Sequence, residues 1–69
     1  MGQISIIPRA PVARILSKVG AKRVADAAAD AFAECLSEIA EEIAAKAVQI
    51  AHHSGRKTVQ EGDIKLAAR

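Results

Sequence analysis

The sequence predicts an all-α protein built from three helices, short, long and short. Three observations predict it. The chain is 51% hydrophobic but carries one Phe and no Trp or Tyr, and much of its apolar content is alanine. Alanine-rich sequence without runs of β-branched residues favours helix. Apolar residues recur at helical spacing through residues 26 to 54, and Gly20 and Gly55 punctuate the pattern on either side.

The first helix is expected from about Ala10 to Val19. Pro11 suits its first turn, where a missing N–H costs little. Val12, Ile15, Leu16 and Val19 give it one apolar face, and Gly20 is a natural C-terminal stop. "GAKRV" follows as a short loop. The second helix opens at Asp26, which shares the N-cap role with the poorly suited Ala25. Phe32, Leu36, Ile39, Ile43, Ala47 and Ile50 step by threes and fours, forming a narrow seam. Gly55 ends the helix after roughly 28 residues, or about 42 Å. A rod of that length cannot cover its seam with a ten-residue neighbour, so the excess has to pack on another copy or a partner. The third helix is expected to open with a capping box in "TVQE", Thr58 as the cap and Glu61 reaching back to it. Ile64, Leu66 and Ala67 form its small apolar face, and Gly62 weakens its first turn by roughly 1 kcal/mol relative to alanine.

The organisation is simple: an N-terminal arm over residues 1–8 and one domain over 9–69, with no repeats and no linker. A domain of this size buries a low fraction of its surface. Cys35 is the only cysteine, so no disulfide assists, and an intertwined oligomer is one of few remedies. A single cysteine fits a reducing compartment. "MGQISIIPRAP" lacks a charged start followed by a long apolar core, so no signal peptide is expected. Gly2 alone makes no myristoylation site. No apolar stretch approaches a membrane span, so no membrane partner is expected.

Charge is more informative in its placement than in its sum of +2. From Asp26 to Ser54, six carboxylates stand against Lys46 alone, a net −5. The rest holds nine cations against Glu61 and Asp63, a net +7. Positive charge therefore collects in the flanks and turns, a footprint for a polyanion. The alternative is ordinary solubilising surface charge. Capping accounts for Thr58 in "HHSGRKTVQEGD" but not for Arg56 and Lys57.

Two stretches carry a family resemblance: "APVARILSKVGAKRV" at 10–24 and "AVQIAHHSGRKTVQEGDIKLA" at 47–67. The order of short helix, Lys-Arg loop, long helix, Gly-Arg-Lys-Thr loop and short helix resembles the histone fold, and the archaeal histones in particular, from about Pro8 to Arg69. The chain departs from the family pattern in a longer arm, in Ala25 where Ser is common, in Gly62, and in stopping at Arg69 without an aromatic and basic tail.

The resemblance implies an intertwined head-to-tail dimer whose long helices cross, each first loop lying beside the partner's second loop. It implies that Arg14 and Arg23 enter the DNA minor groove, with Arg23 steadied by Thr58 of the other chain. A planar, weakly hydrated guanidinium suits a narrow electronegative groove. Lys57 would contact phosphate as a mobile point charge. Lys18 and Lys22 stand as auxiliary contacts, with ordinary surface lysines as the alternative. Arg56 is expected to pair with Asp63 and brace the second loop, with a DNA contact as the alternative. Ile50, His53 and Asp63 match a dimer–dimer contact. Between successive turns of a superhelix, Glu34 would face Lys65 and Glu38 would face Arg69 with opposite charge, Lys18 would face His52 without attraction, and Gly20 would keep the turns close.

The family reading implies a protein that binds, bends and compacts double-stranded DNA with little sequence specificity, on the chromosome (nucleoid) of the cytoplasm. It would act as homodimers and higher oligomers, or as a heterodimer with another histone. Two rivals come with it: a histone-fold component of a transcription or repair complex, and an oligomerisation module without nucleic acid. Arg14, Arg23, Lys57 and Thr58 favour DNA, whereas the acidic long helix favours the module.

Enzymatic chemistry finds no support in the sequence. Carboxylates are strung along one helix face, and no triad, phosphate-cradling glycine loop or metal-ligand spacing is present. His52 and His53 point about 100° apart on a helix, and Cys35 lies too far along the same rod to converge with them, so no metal is expected. Cys35 reads as a small apolar residue flanking the seam. No cofactor and no small-molecule substrate are implied.

Overall fold

The computed structural model describes residues 6–69; the first five residues of the expected arm lie outside them. Three helices appear in the expected order: α1 (Arg9–Lys18), α2 (Asp26–His53) and α3 (Glu61–Ala67), with no strand among the described residues. This is the short–long–short all-helical pattern of the histone fold. The chain divides into two compact units, one running to Glu38 and the other spanning Ile39–Arg69.

Both short connections begin with the same backbone device. At the end of α1, the Ala21 N–H donates to the Leu16 carbonyl (3.0 Å) and the Gly20 N–H to the Ser17 carbonyl (3.1 Å). At the end of α2, the Arg56 N–H donates to the Ala51 carbonyl (2.9 Å) and the Gly55 N–H to the His52 carbonyl (2.9 Å). These are paired Schellman closures, each satisfying carbonyls that the helix end would orphan. The motif requires a left-handed residue, and Gly20 (φ 119°) and Gly55 (φ 73°) supply it. Both glycine stops thus stand where local sequence places them.

In the first unit α1 lies on the opening half of α2. Val12 is fully buried, and Ala29, Ala33 and Ser37 are buried on α2. In the second unit the buried residues are Ala47 and Ala51 of α2 with Asp63 and Ala67 of α3. The stripe α2 buries within its own chain is therefore made of small residues. It stands one position, about 100° of helix rotation, from much of the bulky seam. Phe32, Leu36, Ile43 and Ile50 are only half-buried, and Ile39 is 53% exposed. Of the six seam residues only Ala47 is fully buried within the chain.

The start of α3 corrects the expected capping box at Thr58 and Glu61. The helix opens at Glu61 with Gln60 as its N-cap in an extended conformation (φ −112°, ψ 169°). The third helical residue is Asp63, whose carboxylate accepts from the Gln60 N–H at 2.9 Å. Asp63 takes the place expected of Glu61 because Arg56 already holds it at the mouth of the loop. Glu61 instead pairs with Lys65 one turn on, both exposed. At the other long-helix end, the Ala25 carbonyl accepts from the Ala29 N–H at 3.0 Å, and Asp26 brings negative charge to the first turn, where the helix dipole favours it.

Candidate nucleic-acid interface

The candidate residues sit on two loops and the helix ends that frame them. In the first unit, Arg14 is exposed on α1, two residues and about 200° from the buried Val12, so it leaves the helix on the side opposite α2. Lys18 closes α1, and Lys22 and Arg23 follow in loop 1 (residues 19–25), all three exposed. One Schellman glycine thus separates a helix-end cation from two loop cations.

In the second unit, loop 2 (residues 54–60) exposes Lys57 and Thr58. It is braced by Arg56, whose Nη1 and Nη2 donate to Asp63 Oδ2 and Oδ1, both at 2.8 Å. Nη1 also donates to the Thr58 carbonyl at 3.2 Å. Asp63 is 4% exposed. The Arg56 hydrogen bonds and then the Gln60 N–H hold its carboxyl down at about 2, from an ordinary 3.8. The guanidinium of Arg56 is held more firmly protonated by the same contact. One side chain therefore ties the loop's start, its middle and the first turn of α3, while Lys57 and Thr58 stay exposed.

Among the described residues the cations fall into two sets. Arg9, Arg56 and Lys65 are committed to carboxylates. Arg14, Lys18, Lys22, Arg23 and Lys57 are exposed and form no ion pair. Lys46 on α2 and Arg69 after α3 are likewise exposed and without an ion pair, so five of the seven cations without a carboxylate lie on α1 and the two loops, where they suit a polyanion. Arg23 and Thr58 fall in different units, and the meeting expected of them involves two chains.

The remaining candidates cluster near loop 2. Ile50 is half-buried, His52 and His53 are exposed at the end of α2, and Asp63 is turned inward. Cys35 is exposed on α2. No group of three His, Cys, Asp or Glu that could hold a metal occurs among the described residues, and no helix among them is long and apolar enough to cross a membrane.

Sequence reasoning missed one feature. Arg9, the first residue of α1, forks onto Asp30: Nε donates to Oδ1 at 2.8 Å and Nη2 to Oδ2 at 3.0 Å. Its Nη1 also lies 3.4 Å from Asp26 Oδ2. The hydrogen bond to Asp30 raises the guanidinium's pKa, and its counterpart holds the Asp30 carboxyl below the usual range. The available signal was the i,i+4 spacing of Asp26 and Asp30, which sets two carboxylates on one face of the helix.

Comparison with known proteins places these features in a family. The family model described as "Histone-like transcription factor (CBF/NF-Y) and archaeal histone" matches residues 6–68. The chain is 56% identical over 63 residues to a probable archaeal histone 3 of Methanocaldococcus jannaschii, covering 91% of this chain and 94% of that protein. It is 48% identical over 63 residues, with the same coverage of each, to one of the subunits of the archaeal histone HAN1 of Thermococcus zilligii.

Proposed function

The chain belongs to the histone-like transcription factor (CBF/NF-Y) and archaeal histone family, and on that premise we propose that this histone-fold protein packages DNA as a dimer, binding and bending the duplex with little sequence specificity. The observation that carries the reading is the division of the cations. Arg9 and Arg56 are spent on carboxylates that tie one element to the next, whereas Arg14, Lys18, Lys22, Arg23 and Lys57, on the rest of α1 and in the loops, are not.

The dimer follows from α2. Within the chain it buries alanines and leaves Phe32, Leu36, Ile39 and Ile43 partly open. A second copy crossing there covers that stripe, since each copy presents the same bulky face. The crossing sets loop 1 of one chain beside loop 2 of the other, so that Thr58 of one supports Arg23 of its mate. Arg14 and Arg23 then enter the minor groove where it faces the protein, and Lys57, helped by Lys18 and Lys22, neutralises phosphates. Such contacts read backbone and groove shape rather than base edges, which is why specificity is low.

Dimers extend along DNA through Ile50, His53 and Asp63. A carboxylate has about four acceptor positions. Arg56 and Gln60 take three of Asp63's, so a neighbour's His53 meets the one remaining. The charged pairs between superhelical turns add less, because each is exposed and Lys65 is already engaged by Glu61. Nuclease digestion of the saturated complex tests the assembly. A ladder of protected fragments rising by a constant increment supports the extended filament, and His53→Ala should shorten it. A single protected size at every protein concentration would contradict it.

A further inference from the structure

Arg9 stands at a place where its charge does the helix no good. It is the first residue of α1, where the dipole disfavours a cation. Pro8 gives that end no side-chain cap, and the first turn holds no acid. The guanidinium is nonetheless partnered, spanning Asp30 by two hydrogen bonds and Asp26 by an ion pair.

The apolar grip of α1 on α2 is slender. Val12 is its one fully buried side chain, and the α2 residues buried in the same unit are Ala29, Ala33 and Ser37. Ile15 is 47% and Val19 is 79% exposed. Pro11, Ala13 and Leu16 are half-buried, so the apolar contact is centred on Val12 and thins towards the start of the helix, where Arg9 and Ala10 are exposed. Arg9 lies three residues from Val12, on the same face of the helix, and adds a second fixed point. Two points on one face set the rotation of α1, and so the direction in which Arg14 leaves the opposite face. The latch also closes the segment from residue 9 to residue 30, within which Arg14, Lys18, Lys22 and Arg23 all lie.

We propose that the Arg9–Asp30 pair, assisted by Asp26, is a positioning latch that presents Arg14 and loop 1 to the DNA duplex. This rests on the DNA-binding reading above. Arg9 acts through α1 and is not itself the phosphate contact.

The sign of one substitution separates this role from simple charge. Asp30→Asn removes an anion, so electrostatics alone tightens binding to a polyanion. The latch requires the reverse: affinity for a random-sequence duplex, read by fluorescence anisotropy at fixed salt, falls about two- to fivefold, in the range of an exposed ion pair. Circular dichroism and sedimentation on the same samples should match wild type, so the loss is not unfolding. The exchanged pair, Arg9→Asp with Asp30→Arg, keeps the net charge and restores affinity towards wild type. Asp30→Asn binding as tightly as wild type or tighter overturns the latch, as does an exchanged pair that binds no better than Asp30→Asn. Wild type that binds no duplex at all overturns the DNA reading itself, and the positioning role with it.

Discussion

Arg56 and Asp63 meet fork to fork, with two hydrogen bonds of 2.8 Å, and the carboxylate in that pair is 4% exposed. A carboxylate so placed depends on its partner, because a buried anion without a cation is costly. Truncating Arg56 should therefore do more harm than removing both charges. Arg56→Met is expected to lower the melting temperature by roughly 5 °C or more, and Arg56→Met with Asp63→Asn should recover part of the loss. Thermal melts of the two variants check this; a double variant less stable than Arg56→Met would contradict it.

The same pair sets an acid limit on stability. Asp63 is depressed to about 2 in the folded chain, against an ordinary 3.8 when unfolded. A depressed carboxyl contributes stability that is fully present above its unfolded value and lost as pH falls through its folded value. Stability should thus hold down to about pH 4 and decline towards pH 2, with Asp30 adding a smaller loss of the same sign. Denaturant titrations at a series of pH values check this. Asp63→Asn should flatten the decline, and an equally steep one in that variant would count against the assignment.

Association is expected to be obligate. Leu36 sits half-buried in the bulky stripe that the chain itself leaves partly open. Leu36→Glu places a charge there and should abolish dimer and helix together, read by sedimentation and circular dichroism. A well-folded wild-type monomer at micromolar concentration would rule the dimer out.

Arg23→Ala and Lys57→Ala should each weaken DNA binding while leaving the melting temperature near wild type. Both side chains are exposed on loops and outside the ion-pair clamp. The salt dependence should flatten by about one unit for each phosphate contact removed. Unchanged affinity and slope in both variants would sink the proposed DNA face.

Local chemistry made most of the fold legible. Gly20 and Gly55 could be read as stops because a Schellman closure needs only a left-handed residue a few positions after its acceptors. The start of α3 could not, because Arg56, seven residues away, decides which carboxylate caps the helix. Hydropathy marked Phe32 to Ile43 as a seam too long for one chain to cover, and within the chain close packing of helices selects the neighbouring alanines. The Arg9–Asp30 latch joins residues 21 apart, and the i,i+4 spacing of Asp26 and Asp30 marks two carboxylates on one helix face without naming their partner. Lys22, Arg23 and Lys57 were legible as loop cations by position, but their assignment to DNA came from the family pattern and not from spacing.

The central claim is that loop and helix cations hold duplex DNA by neutralising its phosphates. Affinity of the wild-type protein for a random-sequence duplex, measured as a function of salt concentration, tests it most directly. The predicted result is measurable binding whose logarithm falls linearly and steeply with the logarithm of salt, with little change when the base sequence is altered. Absence of binding at low salt, or an affinity indifferent to salt, would contradict it.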